Sequence, residues 1–199
     1  MNDLYESRNS IYCYKDTNVL INKLNIKNQE ELNKKDSNIS AVKMFELRQN
    51  KLIGNFDLKH FVSIHKHIFE DLYNFAGLFR TENIAKGNFS FAEWNYIEDE
   101  LNRILQELIK EKYLENMDKG QLANRLAYYM SELNVLHPFR EGNGRTIREF
   151  IRQLAYKNNY ILDLRKIKPK DLLNATIKSV VDTKDLENII FECLEKNEK

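Results

Sequence analysis

The sequence of 199 residues is poor in helix-breaking residues, with six glycines and two prolines. Glycine and proline are the strongest local punctuators of secondary structure, so their scarcity favours long helices joined by short connections. The chain also has little cysteine: Cys13 and Cys193 lie far apart in the sequence. Two such distant residues indicate no disulfide framework, and we expect both to be reduced thiols.

An excess of one charge is absent as well, because 31 basic residues stand against 30 acidic ones. This balance gives no electrostatic reason to expect contact with nucleic acid or with an anionic membrane surface. No apolar run approaches the roughly 18 residues of a membrane-spanning helix, and Asp3 and Glu6 stand where a signal peptide would be apolar. At 42% hydrophobic, the chain can bury a sizeable core. We therefore expect a single cytoplasmic domain.

Apolar residues recur at helical spacings along most of the chain. Asp57 can cap a helix that we expect to run to about Gly77, Asp118 can cap another that leads to His137, and Pro169 suits the first position of a third. The apolar stripes are Leu58, Phe61, Ile64, Ile68 and Leu72; Ile97, Leu101, Ile104 and Leu108; and, in a last short helix, Leu186, Ile190 and Leu194. The helical period disappears over residues 81–91, which predicts a hairpin. The expected architecture is all-α with one small β element.

One segment, HPFREGNGRTIR at residues 137–148, combines a base, a carboxylate, two glycines and two arginines. His137 stands where a helix meets Pro138, a position that we expect to expose its side chain. Histidine titrates closest to neutral pH of all side chains, so His137 can act as a general base on a hydroxyl group.

A phosphate site is predicted beside this histidine. Gly142 and Gly144 free the backbone around Asn143 for close approach of a ligand. A new helix begins near Gly144, and the N–H groups of a helix start attract anions. Arg145 and Arg148 are three residues apart, so they share a face of its first turn and can hold further phosphate oxygens.

Glu141 can hold a metal ion at the same site. Magnesium takes one or two carboxylates and completes its shell with waters and substrate phosphates, whereas zinc would need further ligands at zinc-like spacing. We therefore predict a nucleoside-triphosphate site with Mg²⁺, although the chain has neither a Walker loop nor a Rossmann fingerprint. His65 and His67 are two apart and cannot share a helix face, so we interpret His65 as a partly buried residue with satisfied hydrogen bonds.

Residues 137–148 resemble the signature of the Fic family, His-x-Phe-x-(Asp/Glu)-Gly-Asn-Gly-Arg-x-x-Arg. Every specified position is matched, by His137, Phe139, Glu141, Gly142, Asn143, Gly144, Arg145 and Arg148. Residues 65–80 are similar to the family's pre-flap helix and residues 83–92 to its flap. The resemblance covers about residues 17–193 and implies an all-α, Fic-type helical bundle with a small β-hairpin flap, with residues 1–199 forming one Fic domain.

The resemblance implies a protein adenylyltransferase that moves AMP from ATP to a Tyr, Ser or Thr hydroxyl of a target protein and releases pyrophosphate. The flap residues Ile84, Lys86 and Gly87 would pair through their backbone with an extended target segment. Other members of the superfamily transfer a phosphoryl group, another nucleotide or phosphocholine, and these alternatives stay open. Outside the enzymes, the alternative is a non-catalytic helical interaction module.

Many Fic proteins are inhibited by a helix with the pattern Ser/Thr-x-x-x-Glu-Gly/Asn, whose Glu pairs with the second arginine of the motif, here Arg148. One match occurs, at Thr183, Glu187 and Asn188. The same residues also suit an ordinary terminal helix that Asp182 or Thr183 caps. We favour a toxin-like enzyme whose inhibitory Glu comes from a small antitoxin, with Glu187 as an internal alternative.

Overall fold

The computed structural model describes residues 10–49, 54–87 and 89–198, which form seven α-helices and four short strands. The helices are α1 (Gln29–Gln49), α2 (Leu58–Phe69), α3 (Ile97–Lys110), α4 (Lys119–Leu136), α5 (Asn143–Lys157), α6 (Pro169–Lys178) and α7 (Lys184–Cys193). The strands are β1 (Ala85–Lys86), β2 (Phe89–Ser90), β3 (Tyr160–Leu162) and β4 (Leu194–Lys196). The predicted all-α architecture with a small hairpin is confirmed. Asn88, within the predicted flap, lies outside the described residues.

The chain forms two compact units. The first consists of the described residues up to Asp99 together with His137–Thr146, and the second of Glu100–Leu136 together with the described residues from Ile147 onwards. The single domain over about residues 17–193 stays a prediction. Within the described ranges, every helix is too short or too polar to cross a membrane.

Helix α2 supplies the centre of the first unit's core. The side chains of Phe61, Ile64 and Ile68 are completely buried, and burial of such a side chain contributes about 1.5–3 kcal/mol. The carboxylate of Asp57 accepts a hydrogen bond from the N–H of His60 at 2.8 Å, as the capping prediction requires. The helix stops at Phe69, however, and residues 70–77 form successive turns.

The expectation that this helix runs to about Gly77 is therefore wrong. The N–H of Gly77 donates to the imidazole of His65 at 2.8 Å rather than to a helical carbonyl. The imidazole of His65, on α2, thus accepts a hydrogen bond from an N–H group that a longer helix would have bonded to a helical carbonyl.

In the second unit, α4 packs against α7. Helix α4 begins as predicted, because the carboxylate of Asp118 accepts a hydrogen bond from the N–H of Gln121 at 2.8 Å. The completely buried side chains of the two helices include Leu122, Leu126, Leu133, Leu186 and Ile190. Apolar stripes at helical spacing thus form this core, as the sequence predicts.

A second pair of strands was not predicted. β3 pairs antiparallel with β4, with Ile161 opposite Glu195. The last helix ends at Cys193, so the assignment of Leu194 to that helix is wrong. Backbone bonds explain the change, since the N–H of Asp163 donates to the carbonyl of Cys193 at 3.1 Å and starts a ladder where the helix would have continued.

Candidate active site

His137 follows the last residue of α4 and begins the motif loop, which we define as residues 137–142. Its φ of 48° is left-handed, a conformation that ends the helix and costs a residue other than glycine about 1–3 kcal/mol. The residue is only 7% exposed, and its ring centroid lies 3.9 Å from that of Phe91. The expectation of an exposed His137 is therefore wrong, because Phe91 covers the imidazole.

Phe139 anchors the motif loop in the core. Its side chain is completely buried and stacks on the imidazole of His65 with a centroid distance of 3.7 Å. The rings of Phe61 and Phe79 lie at 5.7 and 5.8 Å from the ring of Phe139. Aromatic pairs of this kind add about 0.5–1.5 kcal/mol each beyond burial. The aromatic residue of the motif therefore fixes the loop against the core.

His65 provides a second anchor; its hydrogen bonds are satisfied as predicted, but the residue is completely rather than partly buried. Its Nδ1 accepts from the N–H of Gly77, so Nε2 carries the proton and donates to the carbonyl of Glu141 at 2.9 Å. Burial lowers the pKa of His65 to about 3, and the charge of Arg145 acts in the same direction. The anchor therefore works as a neutral imidazole.

Gly142 and Asn143 shape the end of the motif loop. Gly142 has a φ of 81°, and a Cβ there would lie 2.2 Å from the ring of Phe69. The side-chain amide of Asn143 accepts from the N–H of Phe139 at 2.8 Å and donates to the carbonyl of Phe139 at 2.7 Å. The Asn143 side chain therefore closes the loop. Its contact with phosphate stays a prediction.

Helix α5 begins at this point, as predicted. The carbonyl of Gly142 accepts hydrogen bonds from the N–H groups of Arg145 and Thr146, both at 3.1 Å. The N–H groups of Asn143 and Gly144 precede these bonds, so they belong to the set that a helix start leaves without an internal partner. They form the positive end of the helix dipole at the end of the motif loop.

Glu141 is half-buried, with its side chain 30% exposed. Its carboxylate accepts from the N–H of Gly142 at 2.9 Å and lies 3.5 Å from Nη2 of Arg145. Among the described residues, no group of three or more His, Cys, Asp or Glu side chains could hold a metal ion. One accessible carboxylate suits magnesium, which fills its shell with waters and substrate phosphates, and does not suit zinc.

Arg145 is held by helix α1. Its guanidinium forms an ion pair with the carboxylate of Asp36 and donates to the hydroxyl of Ser40 at 2.8 Å. The hydroxyl of Tyr73 donates to the same carboxylate at 2.9 Å, and the guanidinium carbon lies 4.5 Å from the ring centroid of Phe69. Burial opposes the charge of Arg145, but the Asp36 carboxylate outweighs it and raises the pKa of Arg145.

The predicted hairpin is present between Arg80 and Ala92. Lys86 pairs with Phe89 in an antiparallel register, and the carbonyl of Ile84 accepts from the N–H of Phe91 at 3.3 Å. Ile84 is 3% exposed.

The turn of this flap carries Gly87, which has a φ of 56°. A Cβ at Gly87 would meet nothing within 4 Å. The hairpin therefore presents backbone at an open surface.

Arg148 lies half-buried on α5 in the second unit. The candidate inhibitory residues belong to the same unit: Glu187 accepts from the side-chain amide of Asn124 at 3.0 Å and pairs with Lys184 at 3.0 Å. Asp182 caps α7 by accepting from the N–H of Lys184 at 2.9 Å, whereas the side chain of Thr183 makes no capping bond. Asn188 is exposed.

Sequence reasoning missed three residues at the motif loop: Asp36, Arg80 and Phe91. Asp36 is 109 positions from the arginine that it pairs with, so no local spacing connects the two. Phe91 offered no signal beyond the flap resemblance. Arg80 was noted only as the end of the segment before the flap. Each role depends on a tertiary contact that local pattern does not encode.

The loop geometry and the fold agree with one family of known proteins. The model of the Fic/DOC family matches residues 55–155, about half of the chain. The chain belongs to the Fic/DOC family.

Two curated relatives and one solved structure illustrate the match. Protein adenylyltransferase VbhT of Bartonella schoenbuchensis is 41% identical over 187 residues, which cover 94% of this chain but only 39% of VbhT. The relative y4lH of Sinorhizobium fredii, named probable protein adenylyltransferase, is 37% identical over 84% of this chain and 86% of its own length.

The structure is the N-terminal Fic domain of a VirB-translocated Bep effector from Bartonella quintana with bound ADP. It superimposes with a TM-score of 0.90 at 24% identity and covers 94% of this chain and 95% of that domain. At 24% identity, this similarity shows the fold alone.

Proposed function

We propose that this chain is a protein adenylyltransferase, which transfers AMP from ATP to a Tyr, Ser or Thr hydroxyl of a target protein. The motif loop carries this proposal, because one fixed backbone joins a histidine, a carboxylate and a glycine-bordered helix N-terminus. The names of VbhT and of the Sinorhizobium fredii relative support the same activity. The cytoplasmic location of the protein stays a prediction.

The α- and β-phosphates would bind at the N-terminus of α5. The N–H groups of Asn143 and Gly144 precede the first helical hydrogen bonds there, and a helix start attracts anions through such groups and its dipole. Because the side chain of Asn143 bonds to Phe139, its part would be to keep the loop closed while the backbone binds phosphate.

Arg145 and Arg148 would bind the outer phosphates. Asp36 and Ser40 already hold the guanidinium of Arg145, so its side chain would lose little conformational entropy when ATP binds. The role of Arg148 follows from its position in the motif. Together the two arginines would orient the α-phosphate for in-line attack.

Glu141 would hold Mg²⁺ with its accessible carboxylate. When bound, the ion would neutralise charge on the phosphates. Glu141 itself has one oxygen committed to the N–H of Gly142, which fixes the carboxylate at the loop before any ligand arrives.

His137 would take the proton of the acceptor hydroxyl. The hydroxyl oxygen then forms a bond to the α-phosphorus, and the bond from that phosphorus to the oxygen bridging to the β-phosphate breaks, which releases pyrophosphate. A positioned base contributes about 10²–10⁴-fold, and backbone N–H groups at the phosphates stabilise the developing charge. The ring of Phe91 would restrain the imidazole. The backbone of the flap, around Ile84, Lys86 and Gly87, would hold the target segment.

The decisive experiment uses ATP labelled at either the α- or the γ-phosphate. A lysate of the source cells and the purified chain itself serve as acceptors. We expect protein-bound label from the α-position, none from the γ-position, and loss of labelling when magnesium is chelated. Label from the γ-position would assign the chain to phosphoryl transfer instead. Absence of label from both positions would favour transfer of another nucleotide, phosphocholine transfer or the interaction module.

We further propose that a small antitoxin, rather than Glu187, inhibits the enzyme opposite Arg148. The contacts of Glu187 with Asn124 and Lys184 give it a local structural role on α7. Glu187→Gly should then leave the activity of the isolated chain within about threefold. A large activation by this substitution would contradict the antitoxin model and make Glu187, with Thr183 and Asn188, an internal inhibitory motif.

A further inference from the structure

Arg80 is one of the most deeply buried polar residues, with 1% of its surface exposed. Its guanidinium donates to three backbone carbonyls, those of His137 and Glu82, both at 2.8 Å, and that of Ala92. Its own N–H donates to the carbonyl of Pro138 at 3.0 Å. The N–H donors of a guanidinium point in fixed directions in one plane. Its bonds to the carbonyls therefore fix the orientation of the buried Arg80 side chain.

The three carbonyls belong to the two parts that transfer would have to align. His137 begins the motif loop, whereas Glu82 precedes β1 and Ala92 follows β2, so they bracket the flap. One rigid planar group therefore fixes the base of the flap relative to the backbone of the histidine. The ring of Phe91, next to β2, adds a contact with the imidazole of His137, at 3.9 Å between centroids.

The conformation of His137 requires the restraint that the hydrogen bonds of Arg80 supply. A φ of 48° at a residue other than glycine persists only where the surroundings over-determine it. The carbonyl of His137 accepts from Arg80, and Pro138 supplies no N–H to the helix that precedes it. Without Arg80, the His137 peptide could relax towards an unstrained conformation and turn the imidazole away.

We propose that Arg80 is a positioning residue for AMP transfer, which sets the distance and angle between His137 and an acceptor hydroxyl held by the flap. This inference rests on the proposed function. A displacement of about 1 Å of a reacting group can lower a rate by about 10²-fold. The four carbonyls that Arg80 binds belong to His137, Pro138, Glu82 and Ala92, whereas the phosphates would bind at the start of α5, so we expect nucleotide affinity to change little.

The test compares Arg80→Lys and Arg80→Gln with the full-length wild-type chain. Lysine keeps the charge but offers one nitrogen in place of the planar fork. The matched control is Arg125→Lys, because Arg125 lies on α4, outside the proposed site, and its half-buried guanidinium also bonds to fixed partners, the carboxylates of Glu107 and Glu111. The measurements are the initial rate of α-labelled AMP incorporation into the chain's own hydroxyls and into the strongest lysate band, the Kd of a non-hydrolysable ATP analogue, and the melting temperature.

We expect both Arg80 variants to bind the analogue within about threefold of wild type and to lose about 10²-fold in transfer rate. Arg125→Lys should keep transfer within a few fold. Transfer by Arg80→Lys that equals transfer by Arg125→Lys would overturn the proposal. So would loss of analogue binding in both Arg80 variants, because Arg80 would then serve the fold as a whole. If the wild-type chain incorporates no label, the proposed function fails before Arg80 is tested.

Discussion

The motif loop and the flap each contain a glycine with a left-handed φ, but the surroundings of the two glycines differ. A Cβ on Gly142 would lie 2.2 Å from the ring of Phe69, whereas a Cβ on Gly87 would meet nothing within 4 Å. The loop is also held by side chains, through the Asn143 amide and the His65 imidazole. The flap consists of two residue pairs. If the proposed function holds, the fixed motif loop would bind phosphates of one geometry, whereas the open backbone edge of the flap would tolerate different targets.

The largest effect is expected from His137→Ala. Transfer should fall by about 10²–10⁴-fold because the general base is lost, while nucleotide affinity stays within a few fold. Because Phe91 loses its ring partner, the free energy of unfolding should also fall by about 1 kcal/mol. Labelling rates and urea unfolding measure the two effects. The control is His67→Ala, on the more exposed side of α2. Transfer by His137→Ala at a near wild-type rate would contradict the assignment of the base.

Gly142→Ala should have the next largest effect. Overpacking against Phe69 costs about 1–3 kcal/mol, and the left-handed φ of 81° adds about 1–2 kcal/mol for alanine. We expect a loss of about 2–5 kcal/mol in the free energy of unfolding, together with weaker binding of an ATP analogue.

Gly120→Ala provides the control for Gly142→Ala, because Gly120 lies on α4 and the nearest atom to its added Cβ is 3.4 Å away. That substitution should be neutral or stabilising, since alanine favours helix by about 1 kcal/mol. Equal stability of the two variants would remove the steric explanation for Gly142.

These residues also show how far sequence predicts such a site. The spacing of apolar residues and the caps Asp57 and Asp118 predicted helices that the structure confirms. Residues adjacent in the chain, as in the motif loop, could be grouped from sequence alone because covalent connection keeps them together.

What the sequence could not predict depends on pairs of distant segments. Three features arise only when distant segments pack together. Phe91 covers His137, Asp36 pairs with Arg145, and β3 pairs with β4. A hydrophobic period specifies which face of a helix is buried, but not which partner meets it.

The third prediction concerns acid. The pKa of His65 in the folded chain is about 3, below its ordinary value of 6.5. Below pH 6.5 the unfolded chain therefore takes up a proton that the folded chain does not, so stability is retained above about pH 6.5 and lost as pH falls towards 3. The loss approaches about 1.4 kcal/mol per pH unit, or about 2 kcal/mol between pH 7 and pH 5.

Urea unfolding at pH 7 and pH 5 measures this dependence, with His65→Gln as the variant that cannot take up the proton. The variant should be less stable at pH 7, because it loses the stacking on Phe139, but its stability should change less between the two pH values. An identical change in both proteins would show that His65 does not carry the acid sensitivity of the motif loop.

Gly87→Ala should have the smallest effect and tests the flap directly. Its φ of 56° costs alanine about 1–2 kcal/mol, and a lower entropy of the unfolded chain offsets about 0.4–1 kcal/mol of this. With no neighbour within 4 Å, no overpacking cost is added, so the net loss should be at most about 1.6 kcal/mol. Binding of an ATP analogue should be unchanged, since the phosphates would meet the motif loop. Transfer should stay within a few fold, because a target that pairs with flap backbone does not require a bare glycine at the turn. A loss of transfer beyond tenfold with intact nucleotide binding would show that the flap tip, like the motif loop, needs one fixed conformation.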